Sequence, residues 1–264
     1  VDEVRTLLDR LDDDGPPLSI VVHATGVPGT MQPLVELTNT ELAATLAGKV
    51  EGARILGIDG RTVRGARIFD VGYRELGPRV FGIGIHRGAL FGLLYDEVRR
   101  LAVPTTPATE MHNSRLVAGG RLLVDAQGAE HGPFDLVIDG TGQRSPLRAG
   151  EVQVRLDRPY PYGALWGMTQ LPDSWPHAEQ LMQVYDGCHL MVGILPVGCR
   201  PGDTQPLAAL FWSLRVRDHA AWKAAGIEAW RTRVLAAWPQ ARSFVEQIRS
   251  ADDLTFASYA DVAL

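Results

Sequence analysis

The residues best placed to do chemistry lie in the run from Phe134 to Arg148, FDLVIDGTGQRSPLR. An apolar segment (Leu136, Val137, Ile138) leads into Gly140-Thr141-Gly142, and Gln143, Arg144, Ser145 and Arg148 follow. A buried parallel strand that ends in Gly-x-Gly lets a ligand approach the backbone closely, because no Cβ stands in the way. Sites of open α/β sheets lie just outside such carboxyl ends. The pattern points to a nucleotide-type cofactor. A strand-to-loop turn that needs glycine for backbone reasons alone would read the same way. Farther along, Tyr160, Tyr162, Trp166, Phe211 and Trp212 have the types and spacing to line an aromatic pocket, although alternating aromatics on strands also describe plain core. The histidines at 23, 86, 112, 131, 177, 189 and 219 show no metal-ligand spacing, and no G-x-S-x-G nucleophile turn is present.

These groups need elements to hold them. Leu18 to His23 reads as a short buried strand ending at Ala24-Thr25-Gly26. Thr38 or Asn39 can cap a helix that runs to about Leu56, with Leu42, Leu46, Val50 and Ala53 on one face. The character changes at Gly57-Ile58-Asp59-Gly60, and residues 61–74 alternate like strand. Ile85 to Arg100 predicts a helix striped by Leu90, Leu93, Leu94 and Val98. Gly119-Gly120 between apolar pairs signals a hairpin, and the strand 134–139 follows. Strands are expected near 162–170, 181–186, 189–195 and 208–217. Asp218 to Trp238 reads as helical with an interruption around Gly226, and a last helix near 241–250 leads into the tail LTFASYADVAL. Strands followed by helices indicate an α+β lobe.

Size and charge bound the rest. A chain of 264 residues can bury a substantial core in one large domain or two modest ones. The net charge of −5, without a basic stripe, argues against a nucleic-acid partner. No apolar run approaches the roughly 20 residues that span a bilayer. The acidic opening VDEVRTLLDRLDDDG is the opposite of a signal peptide. Two cysteines, Cys188 and Cys199, outside any CxxC arrangement, fit a reducing, cytoplasmic setting.

Three stretches, GIGIHRGALFGLL (82–94), DLVIDGTGQRSPLR (135–148) and the pairing of ILPVG (194–198) with ALFWSLR (209–215), resemble FAD-dependent aromatic-hydroxylase-type monooxygenases over about residues 60–264. The resemblance implies an FAD site in which Arg87, at the start of its helix, lies near the pyrophosphate. The chemistry agrees, since a guanidinium forks onto phosphate oxygens and a helix N-terminus favours anions. It also places Gly140, Thr141, Gly142 and Ser145 on the cofactor, and Trp166, Phe211 and Trp212 along the substrate. That family has Asp where this chain has Thr141, a side chain that supplies no carboxylate. The family's opening G-x-G-x-x-G and its closing Gly-Asp motif are not found here.

LSIVVHATGV (18–27) followed by LVELTNTELAATLAGKVEGARIL (34–56) resembles instead part of a polyketide-synthase ketoreductase, a Rossmann-type family that uses NADPH. Lys49 matches that family's catalytic Lys, and Ala24 and Gly26 match its turn; a solvated Lys on an amphipathic helix fits equally.

The resulting expectation is an α/β chain with an α+β substrate lobe. A ketoreductase-like βα segment (1–56) precedes a partial Rossmann-type FAD-binding domain (57–150) and a mostly antiparallel substrate domain with C-terminal helices (151–264). The implied activity is FAD-dependent hydroxylation of an aromatic or polyketide-like small molecule, with NAD(P)H as reductant. The monooxygenase would be inactive if truncated, and its expected partners are a small-molecule substrate and a missing complementary segment or a second copy of itself. The alternatives are an NADPH-dependent ketoreductase fragment and a non-catalytic hybrid remnant.

Overall fold

Residues 20–23, 52–142, 145–148 and 156–263 are described in the computed structural model. They fall into two units, one built from 91–157 with the strand at 20–23, the other from 52–90 and 158–261. The division falls within helix α1 (Arg87–Arg100).

In the first unit β1 (Ile20–His23) pairs in parallel with β9 (Leu136–Asp139), Ile20 opposite Leu136 and His23 opposite Asp139. The expected LSIVVH strand and the 134–139 strand are thus partners, and the glycine turn leaves the carboxyl end of β9. Three antiparallel strands, β6 (Met111–Val117), β7 (Gly120–Asp125) and β8 (Glu130–Phe134), form a second sheet. The β6–β7 hairpin turns where its glycines predict. Gly120 has φ +140°, and a Cβ there would stand 2.4 Å from the Phe134 carbonyl oxygen, so no other residue fits. Met111, Leu123 and Leu147 are buried together, with Phe134 and Val137 packed against them.

The β7–β8 turn is held by Asp125. Its Oδ1 accepts the Gln127 and Ala129 amides at 2.9 and 2.8 Å, and its Oδ2 lies 2.9 Å from His131 Nε2. The His131 hydrogen bond, followed by the Ala129 amide, holds this carboxyl below the ordinary Asp range. The unfolded chain therefore takes up a proton first as pH falls, so this stabilisation is complete above about pH 4 and is lost as pH drops through the lower folded value. We expect Asp125→Asn to narrow its stability deficit relative to the parent below pH 4. Urea midpoints followed from pH 7 to pH 2.5 check this, and a deficit that does not change with pH would contradict it.

The second unit is a seven-stranded sheet in the order β14 (Thr255–Ala263), β10 (Leu156–Gln170), β13 (Leu207–Arg215), β12 (Leu190–Gly198), β11 (Gln180–Asp186), β3 (Gly57–Thr62), β4 (Arg67–Gly72). The pairings from β10 through β13 and β12 to β11, and of β3 with β4, are antiparallel; β11 and β3 run parallel. Two sequence expectations change here. The helix expected to reach Leu56 does not: Ala53–Ile55 is strand β2, paired with β5 (Gly82–Gly84). A distant strand satisfies these backbone groups, and that pairing overrides a local helical pattern. The boundary expected at 57 also moves, because β3 and β4 extend the large sheet. Asp59 is buried between them and accepts hydrogen bonds from Arg61 at 2.9 Å and Arg67 at 2.8 Å.

Helices α2 (His219–Ala237) and α3 (Arg242–Val245) belong to the same unit. Gly226 interrupts α2 with φ 79° and ψ 170°, a conformation open essentially to glycine alone, as the sequence anticipates. Trp222, Trp230, Val234 and Trp238 of this segment share one core with Leu165, Ile194, Leu210 and Trp212 of the sheet. Trp175 closes one end, edge-on to Phe244 at 4.9 Å and to Trp238 at 5.9 Å.

Candidate functional site

In the first unit the turn after β9 is organised by a residue that the sequence reading passed over. The Asp139 carboxylate accepts the Thr141 amide at 3.0 Å and the Thr141 hydroxyl at 2.6 Å, and the Ser145 hydroxyl donates to its other oxygen. Ser145 Oγ in turn accepts the Leu147 amide at 3.2 Å, while the Ser145 amide donates to Gly142 O at 3.1 Å. Ser145 is buried and committed to the turn, so its hydroxyl shapes the loop instead of facing outward. The carboxylate that Thr141 does not supply is present two residues earlier. The Asp-Gly-Thr order is an Asx-turn signal and could have been read as such. Gly142 has φ +81°, with open space where a side chain would be. Gly140 is exposed and Thr141 half-buried. An acid at this mouth suits hydroxyl donors of a ligand and repels phosphate.

In the second unit, His86 caps α1. Its Nδ1 accepts the Gly88 amide at 3.1 Å, its carbonyl accepts the Ala89 and Leu90 amides, and its own amide donates to Val197 O at 2.8 Å. Arg87 is the next residue. It is exposed and has no ion pair or side-chain hydrogen bond among the described residues. A free guanidinium at a helix start is suited to a phosphate or pyrophosphate. Burial first, and Arg200 second, lower the His86 pKa. The unfolded state therefore protonates first, so the stability that neutral His86 supplies is complete above about pH 6.5 and declines as pH falls toward the lower folded value. His86→Ala should cost roughly 0.5–1 kcal/mol at pH 8, the usual worth of an N-cap. The melting-temperature gap to the parent should shrink at pH 5; a constant gap would argue against the cap.

The large sheet carries the aromatic residues, and strand register separates them. Neighbours along a strand point to opposite faces. Trp212 pairs with Leu165 and Val192, shares the core with α2 and is 1% exposed. It is therefore removed from the expected substrate lining. Phe211 and Trp166, paired across β13 and β10, occupy the other face with ring centroids 5.0 Å apart. Phe211 is covered, its ring lying over Gly193, where a Cβ would meet it at 1.9 Å. Trp166 is 37% exposed and donates from its indole N–H to Tyr259 Oη at 3.2 Å. The same face holds Tyr162, which accepts from Arg215 Nε at 2.9 Å, and Tyr185, which donates to Gln183 Oε1 at 2.9 Å. Burial pushes the Tyr185 phenol up. This face offers an aromatic floor with polar groups along it.

Lys49, Ala24 and Gly26 lie outside the described residues. No group of three or more His, Cys, Asp or Glu among the described residues is placed to hold a metal, and no described helix is long and apolar enough to cross a membrane.

No family model matches the chain. A 55-residue stretch, 21% of the chain, is 47% identical to the polyketide synthase GfsA of Streptomyces halstedii, of which it spans 1%. Among solved structures, PqsL of Pseudomonas aeruginosa in complex with 2-aminobenzoylacetate matches 90% of this chain with a TM-score of 0.62 at 15% identity. HpxO of Klebsiella pneumoniae in complex with FAD and uric acid matches 84% with a TM-score of 0.61 at 14% identity. The chain spans 66% and 56% of the lengths of these two proteins. Identities this low speak to the backbone alone: over the matched part, the chain shares the fold of these two proteins.

Proposed function

We propose that this chain binds FAD and forms part of a flavin-dependent monooxygenase acting on an aromatic or polyketide-like small molecule, with a nicotinamide nucleotide as reductant. The observation that carries the reading is the aromatic floor formed by part-exposed Trp166 against buried Phe211, on the face of the sheet opposite the helical core. It occurs in a fold shared with a protein seen with FAD and uric acid.

The residues present fit the cofactor in two places, each within its own unit. Arg87 and the start of α1 suit the pyrophosphate. Gly140, Thr141 and Gly142, on the turn that Asp139 holds, suit the hydroxyl-bearing part, with Ser145 positioning that turn from behind. Bound flavin would supply the activation of oxygen. The protein's own contribution is to present an aromatic substrate flat on Trp166, whose indole is fixed by Tyr259, and to exclude water from that surface. Gln183 and Tyr185 offer hydrogen bonds along the same face to polar substituents.

A visible absorption spectrum tests this reading. The purified chain is mixed with excess FAD, and the unbound fraction is removed. A retained band near 450 nm, roughly where protein-bound flavin absorbs, is the expected result, and consumption of NADPH in the presence of aromatic acids would follow. A colourless chain would overturn the reading and leave the monooxygenase fold without its cofactor.

A further inference from the structure

Strand register places six residues in a single row across the large sheet. Trp166 of β10 lies opposite Phe211 of β13, and Phe211 opposite Gly193 of β12. Gly193 lies opposite Gln183 of β11, Gln183 opposite Gly60 of β3, and Gly60 opposite Phe69 of β4. Residues directly opposite one another share a face, so all six belong to the aromatic floor and none to the helical core. The two glycines let the neighbouring rings lie down. A Cβ at Gly193 would stand 1.9 Å from the Phe211 ring, and one at Gly60 would stand 2.4 Å from the Phe69 ring. Each ring therefore covers the strand next to its own. Those covered strands, β12 and β3, flank β11 at the usual spacing of about 4.8 Å, and Gln183 stands between them. Apart from the Trp166 indole N–H, which is bound to Tyr259, Gln183 supplies the row's only polar side-chain group.

The orientation of that amide is fixed on both sides. Its Oε1 accepts the Tyr185 hydroxyl at 2.9 Å, and its Nε2 faces Met191 Sδ at 3.7 Å. A thioether has no proton to give, so it meets the amide nitrogen and not the oxygen. Tyr185 is itself held edge-on to Phe69, with ring centroids 5.9 Å apart. With its oxygen taken by a phenol, the amide presents N–H groups to a ligand. One of them meets a weak acceptor, and the other has no partner among the described residues. Gln183 is half-buried, so a molecule on the floor can reach it. Resting on the reading of this face as the substrate floor, we propose that Gln183 selects aromatic molecules that carry a carbonyl oxygen. Its Nε2 donates to that oxygen while the ring lies along the row, and Tyr185 is the positioning residue. A ligand without an acceptor would strip water from these N–H groups and leave them unmatched, which is how a fixed donor discriminates.

The test titrates acetophenone and ethylbenzene, which differ by that oxygen, separately into the full chain, with binding followed by ligand-observed NMR. Acetophenone is expected to bind about three- to tenfold more tightly, the worth of one neutral hydrogen bond. Partition alone favours ethylbenzene, the more hydrophobic of the two. Gln183→Leu keeps the side chain's size and removes the donor, so it should bring the two affinities together. Gln183→Glu, whose carboxylate repels a carbonyl oxygen, should do the same. Tyr185→Phe frees the amide to turn and should lower the preference to about twofold. A merely structural role would weaken both probes alike and leave their ratio unchanged. Equal binding of the two probes by the parent, binding of neither, or a parent-like ratio in Gln183→Leu or in Tyr185→Phe would overturn the proposal. The titrations are run with and without FAD, which separates this outcome from the flavin reading. A colourless chain that prefers acetophenone through Gln183 refutes the flavin and upholds this assignment; a chain that retains FAD and binds both probes equally does the reverse.

Discussion

Arg87→Ala is expected to weaken FAD binding by about 10- to 150-fold while moving stability by less than about 0.5 kcal/mol. The two magnitudes have separate origins. Arg87 is exposed and without a partner among the described residues, so truncating it removes no hydrogen bond or ion pair among them. The same freedom makes its fork available to a pyrophosphate at the start of α1, where charge-assisted bonds are worth about 1.5–3 kcal/mol. Arg87→Lys keeps the charge and loses the bidentate geometry, so it should recover only part of the affinity. Titration of FAD, followed by quenching of its fluorescence, measures all three proteins. Unchanged affinity in Arg87→Ala, with the parent binding FAD, would remove Arg87 from the cofactor site.

The second large effect separates two tryptophans on opposite faces of the same sheet. Trp212→Ala should cost about 3–5 kcal/mol, as truncation of a large buried aromatic does, against a total stability of about 5–15 kcal/mol for a typical protein. Trp212 is surrounded by Leu210, Leu214 and the α2 tryptophans, and its cavity would open in the centre of that core. Trp166→Ala should cost less than about 1 kcal/mol in stability, because its ring is already partly in water. It should instead reduce affinity for an aromatic ligand by about two- to tenfold, the scale of one ring contact, and Trp166→Phe should restore most of it. Chemical denaturation and ligand titration of the three variants decide the matter. Parent-like stability in Trp212→Ala would show the face assignment to be wrong, as would loss of ligand binding there with no loss in Trp166→Ala.

Much of the second unit is legible along the chain. The strands expected at 181–186, 189–195 and 208–217 fall on β11, β12 and β13 to within about three residues, because these runs are rich in apolar and β-prone residues. The kink at Gly226 is equally local: a conformation open only to glycine is announced by the glycine itself. The tail LTFASYADVAL carries no comparable signal. It becomes β14 because β10 offers it an open edge.

The sites are less legible, for reasons that differ by residue. Thr141 supplies its turn with no acid, and Asp139 occupies that role, gathering two hydroxyls that lie within six residues of it. That correction is local and could have been read. Ser145 was harder, since whether a hydroxyl faces a ligand or its own loop depends on the path of the turn after it.

The residue order by itself determined most of the strands and helices (β2 and β14 excepted), where the glycine turns fall, and that Arg87 opens a helix. These follow from backbone sterics and from the periodicity of apolar side chains, both confined to a few residues. Only the tertiary structure decided that β3 and β4 complete the large sheet, that Trp212 is core while Phe211 faces away, and that Gln183 lies in one row with Trp166 and Phe211. Those outcomes depend on pairing between strands far apart in the chain. A shift of one residue in register would exchange the two faces, and nothing in either strand taken alone sets that register.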